Sequence, residues 1–406
     1  MRNTRTAVAL AATLGGASIL AACGSSGSSA GGAAAVPTGA SAAAASGASA
    51  GASGTSGASG ASLAGVFPAT VTLQTDWNPE SEHGGIYQMI GPNPTIDSKK
   101  KTVTGALMAH GQDTGIKFQI RAGGPAIGFG TVTSQMYLDK SITLGYLATD
   151  EQARLSVKQP TTAVIAPLNK SPQIIMWDPK TYPDFKTIAD IGKTDAKVRY
   201  FDGAAYTEYL IGAGILKKSQ VDGSYDGTPA SFVAAGGKST QQGFASAEPY
   251  IYSHEVKAWD KPVNFQLIND AGYPFYQSQI GPRTADLAAL TPCLTKLVPV
   301  LQQAQIDYVA DPAAANALIL KLVGIYNTGW QYSPGVAQFS VDQQKKLGLV
   351  SNGSDGVFGS IDAARVQKII DIVTPIFAKE KTPVKPGLTP KDLFTDQFLD
   401  KSIKLP

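Results

Sequence analysis

The chain has 406 residues, a formal net charge of +3 at pH 7 and a composition that is 43% hydrophobic and 16% charged. The 34 basic and 31 acidic side chains nearly balance, and no basic run of the kind that binds nucleic acid is present. The length exceeds the usual size of a single hydrophobic core, which predicts more than one lobe.

The first 22 residues have the pattern of a secretory signal. Arg2 and Arg5 give a positive start, and residues 7–20 form an apolar run shorter than the roughly 20 residues that span a bilayer. The run ends in the sequence LAAC, where two small residues precede Cys23 as in a lipoprotein cleavage site. We predict a signal peptide at 1–22 and a lipid on Cys23, which would hold the protein at the extracytoplasmic face of the cell membrane. The alternatives are an ordinary secretory signal with an incidental cysteine and a retained membrane helix.

A tether is predicted next, at residues 23–65, because the sequence after Cys23 is almost wholly Gly, Ala and Ser. Such a segment has too little apolar surface to offset its ordering entropy, and its root-mean-square reach is roughly 35 Å. With Cys23 lipidated, only Cys293 remains, so no disulfide can form within the chain. No second apolar stretch is expected to reach membrane-spanning length.

Strand and helix patterns alternate through the rest of the chain. The predicted strands are 71–75, 116–120, 142–147, 162–168, 173–177, 198–201 and 263–268. The predicted helices are 84–90, 131–138, a short one near 188, 204–216, 232–235, 286–309, 312–326 and 363–377. This alternation predicts an α/β fold with parallel sheets covered on both faces. A ligand in such a fold binds beyond the carboxyl ends of the strands and, with two lobes, in the cleft between them.

Six segments carry a resemblance to a known family. They are VTLQTDWNP from Val71, HGGIY from His83, FQIRAGGP from Phe118, ITLGYLATD from Ile142, KSPQIIM from Lys170 and LFTDQFL from Leu393. In this order and spacing they resemble the substrate-binding proteins of ABC importers for aliphatic sulfonates, taurine and thiamine-pyrimidine precursors.

The resemblance implies a two-lobed periplasmic-binding-protein type II fold with a hinge and an interlobe cleft. We expect the first lobe at 66–175 and 270–406 and the second at 176–269. The implied protein is a monomer without cofactor or catalytic activity, which binds a small molecule and docks on the permease subunits of an ABC transporter.

The first candidate ligand contacts follow the first strand. Trp77 offers a flat face for stacking, and Asp76 can accept hydrogen bonds from a ring amine. In the pyrimidine-precursor binders of this group a similar Asp-Trp pair contacts the ligand. His83 and Tyr87 follow at helical spacing and are candidates too. A core or hinge role for Trp77 and a structural role for His83 are the alternatives.

Further candidates lie after other predicted strands. Gly124 would let the backbone approach a ligand closely, or simply form a tight turn. Asp150 would contact a ligand or cap a helix. Tyr206 ends the segment DGAAY, which has no hydroxyl at its start and therefore disfavours sulfonates. Glu248 and Tyr250 lie where the family supplies cleft residues, with a surface turn as the alternative.

The favoured ligand is a thiamine-pyrimidine precursor or a similar flat heterocycle. Sulfonate or taurine-type anions remain open, as does an extracytoplasmic enzyme or sensor on the same scaffold. The phosphate-loop-like run at 232–239 lacks its first glycine. The three histidines are scattered without metal-ligand spacing, so no metal site is expected.

Overall fold

A computed structural model describes residues 62–66 and 68–406, which belong to one compact unit. The predicted signal peptide, the predicted lipid site at Cys23 and nearly all of the predicted tether lie outside these residues. They remain predictions.

The described residues form eleven strands. In chain order they are β1 (Thr70–Gln74), β2 (Thr95–Asp97), β3 (Thr102–Ala109), β4 (Gln112–Arg121), β5 (Leu144–Leu147), β6 (Gln173–Trp177), β7 (Val198–Arg199), β8 (Val221–Asp222), β9 (Thr240–Phe244), β10 (Asn264–Leu267) and β11 (Gln279–Gly281).

Twelve α-helices accompany these strands in the described part of the chain. They are α1 (Gly84–Gln88), α2 (Val132–Leu138), α3 (Thr149–Leu155), α4 (Ile188–Gly192), α5 (Ala205–Gly212), α6 (Ala230–Ala234), α7 (Glu248–His254), α8 (Leu287–Ala310), α9 (Ala313–Tyr326), α10 (Pro334–Lys346), α11 (Ala363–Lys379) and α12 (Pro390–Leu393). Short 3-10 turns cover Ser81–His83, Gly124–Ile127 and Thr284–Asp286.

The strands form two sheets. The first has the order β11-β5-β1-β4-β3-β2 and the second has the order β10-β6-β9-β7-β8. Both sheets contain parallel pairs, β1 with β4 and β5 in the first and β7 with β8 and β9 in the second, in agreement with the predicted parallel arrangement. The expectation of wholly parallel sheets is wrong, because β2, β3, β6, β10 and β11 run antiparallel to their neighbours.

The hairpin of β3 and β4 explains part of this difference. Its turn is made by His110 and Gly111, which both have positive φ, at 49° and 75°. Two such residues form the tight turn that joins antiparallel strands directly. No helical crossover separates these strands, so they cannot be parallel.

The predicted strand at 162–168 is not a regular strand. Its backbone makes isolated bridges only, from Thr161 to Arg283, from Ala163 to Phe394 and from Ile165 to Ile280. The segment is apolar because it runs buried beside β11. The apolar run that predicted a strand at 162–168 therefore reflects the burial of this segment and not regular pairing in a sheet.

Two chain crossings join the sheets, one before β6 and one between β10 and β11. Arg365 on α11 contacts both. Its guanidinium donates to the carbonyl oxygens of Asn169, Pro274 and Phe275, and its Cζ lies 3.8 Å from the ring centroid of Tyr276. The expected lobe boundary between residues 175 and 176 falls inside β6, which belongs to the second sheet as a whole.

One face of the long helix α8 packs into the core. By length and composition, Thr284–Ala310 could cross a membrane, which differs from our expectation that no second stretch would qualify. In the fold α8 packs on α1, where Gly84 leaves room for the Tyr308 ring and the Gly85 amide donates to Gln305 Oε1 at 3.2 Å. The buried face of α8, which includes Leu294, Leu297, Val298 and Leu301, accounts for part of its apolar composition.

Gly281 in β11 sits where a side chain has no room. A Cβ there would lie 2.1 Å from the backbone oxygen of Thr162 and 2.7 Å from the Cα of Ala163. We expect Gly281→Ala to lower the free energy of unfolding by about 2 kcal/mol, because the crossing segment must move. Gly324→Ala is the control, since Gly324 is helical and has no atom within 4 Å of the added carbon. It should be neutral or slightly stabilising in urea unfolding, and equal losses in both variants would contradict the argument.

Candidate ligand-binding site

A cavity of about 210 Å³ lies between the two sheets. The carboxyl end of β1 is followed by Asp76 and Trp77, and Glu80 immediately precedes the 3-10 turn at Ser81–His83. The second sheet contributes Phe201 beyond β7, and α7 contributes Glu248. This is the place that the α/β topology predicts, because the strand ends and the loops that follow them converge there.

One wall of the cavity is aromatic. The Trp77 ring centroid lies 6.0 Å from Phe201, 5.9 Å from Phe129 and 5.9 Å from Trp330, which meets it edge to face. Tyr225 extends the wall, with its centroid 4.8 Å from Phe201. Such a wall offers ring faces and edges to a flat or apolar ligand.

Carboxyl groups also line this cavity, from Asp76, Glu80 and Glu248. Burial, and then the carboxylates of Glu82, Asp76 and Glu248, raise the pKa of Glu80 well above its usual value. Burial also raises the pKa of Glu248 to about 7, although the Phe244 amide donates to its Oε2 at 2.6 Å. No lysine or arginine lines the cavity within the described residues.

His83 positions Asp76 and does not line the cavity. Its Nε2 lies 2.8 Å from Asp76 Oδ1, its ring packs on Tyr146 with centroids 4.7 Å apart, and it is 1% exposed. Tyr87 also lies outside the cavity, buried in the core on α1. Of the four candidate ligand contacts in this segment, Asp76 and Trp77 therefore line the cavity, whereas His83 and Tyr87 do not.

Gly124 also serves the site indirectly. Its amide donates to the carbonyl oxygen of Asp76 at 3.0 Å, so that amide is not available to a ligand. With a φ of +56°, Gly124 lies under the indole, where an added Cβ would be 2.8 Å from Trp77 Cε3. The glycine thus permits the close approach of turn and indole.

The predicted residues of the second lobe point in different directions. Glu248 lines the cavity, whereas Tyr250 on the same helix faces α10 and packs against Phe339 with centroids 5.5 Å apart. Tyr206 donates from its hydroxyl to Gln242 Oε1 at 2.6 Å, and Gln242 itself lines the cavity. Tyr206 therefore orients a wall residue.

A neighbouring cavity of about 230 Å³ continues the cleft and shares Gln277 with the first. Asp150 lines it and accepts a hydrogen bond from the Tyr273 hydroxyl at 2.8 Å. Burial raises the pKa of the adjacent Glu151 to about 7. Arg154 lies here too and pairs with Glu380 at 2.9 Å. Asp150 is thus in the cleft but away from Trp77.

Several lining residues were not predicted from the sequence, namely Glu80, Phe129, Phe201, Tyr225, Gln242, Gln277 and Trp330. Glu80 had a signal, since it follows Asp76 and Trp77 in the same turn. Trp330 had none, because only the fold brings the loop between α9 and α10 to the end of β1.

No protein-family model and no curated protein sequence matches this chain. Solved structures do match. The periplasmic aliphatic sulphonate binding protein SsuA from Escherichia coli is 14% identical with a TM-score of 0.50, over 82% of this chain and 94% of that protein. The alkanesulfonate-binding protein SsuA from Xanthomonas axonopodis pv. citri, bound to MOPS, is 13% identical with a TM-score of 0.51, over 81% and 99%. A protein from Bordetella bronchiseptica RB50 is 15% identical with a TM-score of 0.50, over 82% and 96%.

These similarities concern the fold. The chain has the α/β fold of the periplasmic sulfonate-binding proteins, which confirms the predicted periplasmic-binding-protein architecture and, for the fold, the predicted resemblance.

Proposed function

We propose that this chain is an extracytoplasmic solute-binding protein, which captures a small molecule beside Trp77 and delivers it to the permease of an ABC importer. The observation that carries the proposal is the cavity between the two sheets, walled by aromatic rings from both. The fold shared with periplasmic binding proteins supports it.

The ligand we favour is a flat heterocycle that carries an amine, such as a thiamine-pyrimidine precursor. Trp77 and Phe201 supply aromatic contacts, and Asp76 and Glu248 are acceptors for amine hydrogens. A sulfonate is the second candidate because two similar structures are sulfonate-binding proteins. The described lining residues include no basic side chain for a sulfonate, which disfavours this candidate.

Binding without chemical conversion is part of the proposal. An enzyme or sensor on the same scaffold would reveal itself by a product formed from a bound compound. The direct experiment is mass spectrometry of small molecules that co-purify with the protein, followed by thermal-shift screening of pyrimidine amines, sulfonates and flavins. An unmodified bound compound that raises the melting temperature supports the proposal, whereas a screen without any shift contradicts it.

Membrane attachment through Cys23 is a separate proposal. The LAAC sequence and the following Gly/Ala/Ser run support it. Mass spectrometry of the mature N-terminal peptide should find Cys23 at the first position with a diacylglyceryl group. An unmodified Cys23 in protein released to the medium contradicts the anchor but leaves solute binding intact.

The ligand found by co-purification and thermal-shift screening should bind about tenfold more weakly to Trp77→Ala than to the unchanged protein. The estimate follows from the loss of aromatic contact, about 0.5–1.5 kcal/mol beyond area burial. Trp77→Phe should retain most of the affinity measured by titration calorimetry. Tyr182→Ala is the control, since Tyr182 stacks on Phe185 outside the cavity. Full affinity in Trp77→Ala would remove the stacking role.

A further inference from the structure

The ionisable side chains that line the cavity beside Trp77 indicate which class of ligand binds there. Asp76, Glu80 and Glu248 line it, and Glu82 lies close enough to raise the pKa of both glutamates. Within the described residues the lining set contains no lysine or arginine. The wall therefore presents three carboxyl groups to a ligand without any basic side chain among the lining residues.

Glu80 is the most informative of these groups. It is 3% exposed and lines the cavity, yet no hydrogen bond from a described residue reaches its carboxylate. The nearest basic atom, Nε2 of His83, is 3.7 Å away and is already 2.8 Å from Asp76. A buried carboxylate is costly unless a partner compensates it, so a partner is expected from the ligand.

The aromatic wall suits the same kind of partner. A cation is attracted to the faces of aromatic rings, most strongly to an indole, and Trp77 and Trp330 both line this cavity. Among residues 62–66 and 68–406, no group of three or more His, Cys, Asp or Glu side chains has an arrangement that could hold a metal ion. The aromatic rings, and the lack of a suitable group of metal ligands among the described residues, favour an organic cation over a metal ion.

We propose that the ligand is a small organic cation, an amine or amidine on a flat or apolar body, whose charged nitrogen lies among Asp76, Glu80 and Glu248 while the body contacts Trp77. This inference rests on the proposed function and makes it more specific. It excludes sulfonates and other anions from this cavity.

Binding of such a cation is coupled to proton release. Burial raises the pKa of Glu80 well above its usual value and that of Glu248 to about 7, so Glu248 is partly protonated near neutral pH. A cation favours the ionised carboxylates. The affinity should therefore rise as the pH increases from about 6 to about 8, with protons released to the buffer.

Other titratable groups surround Glu80 and Glu248. They are Asp76, Glu82, His83, Tyr87, Tyr146, Tyr225, Tyr252 and Tyr332. Burial raises the pKa of each of these tyrosines, so they stay neutral in this range.

The test uses matched probes in titration calorimetry with the purified protein. Benzamidine and benzylamine are flat cations, benzamide and benzyl alcohol are their neutral counterparts, and benzenesulfonate is the anion. We expect each cation to bind at least tenfold more tightly than its neutral counterpart at pH 8, because charged hydrogen bonds are lost in the neutral compound. We also expect benzenesulfonate not to bind.

Glu248→Gln tests the position of the charge. The variant should lose about tenfold to a hundredfold in benzamidine affinity, should keep its affinity for benzamide, and should release fewer protons. Glu208→Gln is the matched control, since Glu208 lies on α5 outside the cavity lining. It should bind benzamidine as the unchanged protein does.

Three results would overturn the inference: a neutral or anionic probe that binds as tightly as its cationic counterpart, a benzamidine affinity independent of pH, or no binding by any of the five probes. Failure of the proposed function is distinguishable. It requires that no compound in the wider screen binds, whereas a bound neutral or anionic solute leaves that function standing.

Discussion

Replacement of Glu80 by glutamine is expected to stabilise the protein and, at the same time, to weaken its binding of organic cations at least tenfold. In the free protein the buried carboxylate faces the carboxylates of Asp76, Glu82 and Glu248 and accepts no hydrogen bond from the described residues. Removal of its charge takes away a desolvation cost and a repulsion. We expect a gain on the order of 1–3 kcal/mol in the free energy of unfolding at pH 8.

The change of protein stability with pH has a defined sign. Because burial raises the folded-state pKa of Glu80, the folded protein binds this proton more tightly than the unfolded chain does. The contribution of Glu80 to stability is therefore fully present below the ordinary glutamate pKa and is lost as the pH rises through the folded-state value. The stability difference between Glu80→Gln and the unchanged protein should widen as the pH rises above about 4.5.

Urea unfolding across this pH range and benzamidine titration together test the prediction. A purely structural role for Glu80 predicts that stability and affinity fall together. Opposite changes in the two quantities identify a residue kept for binding at the expense of stability. Glu208→Gln, away from the cavity, should change neither quantity beyond experimental error.

Replacement of Arg365 by leucine is expected to have the largest effect on stability, a loss of about 3–5 kcal/mol. The guanidinium joins both chain crossings by donating to the carbonyl oxygens of Asn169, Pro274 and Phe275. Leucine leaves these partly buried acceptors without a donor. Arg365→Lys should recover only part of the loss, because one ammonium cannot reproduce the planar guanidinium and its stacking on Tyr276.

Lys368 on the same helix provides the control, since it is exposed. Lys368→Ala should change the unfolding free energy by less than about 0.5 kcal/mol. Ligand affinity should also fall in Arg365→Leu, since the crossings fix the two sheets that wall the cavity. A variant with unchanged urea midpoint and affinity would show that Arg365 does not hold the crossings together.

Local sequence patterns predicted the elements that have strong periodicity. The predicted strand at 173–177 coincides with β6, and the helices predicted at 286–309 and 363–377 correspond to α8 and α11. β2 and β3 were missed, because β2 has only three residues and Gly105 interrupts the apolar pattern of β3. α10 was missed because its sequence is largely polar, although Ser333 and Pro334 were available as start signals.

The sequence indicates where a residue lies in the fold when that residue directly follows a strand, and ligand contact by these residues stays a prediction. Asp76 and Trp77 follow β1 and line the cavity as expected. Sequence does not give the direction of a side chain that is set by packing: His83, Tyr87 and Tyr250 turn toward the core or a neighbouring helix. Helical spacing alone does not reveal which face of a helix meets the cleft.

Trp330 belongs to a late part of the chain, yet it meets Trp77, which belongs to an early part. A hydrogen bond from the Thr328 hydroxyl to Asn78 Oδ1, at 2.8 Å, holds the two segments together. A chain that lacked its final quarter would have no Trp330 to complete the aromatic wall beside Trp77. The wall can form only after most of the chain has been synthesised, because its two tryptophans are 253 positions apart in the sequence.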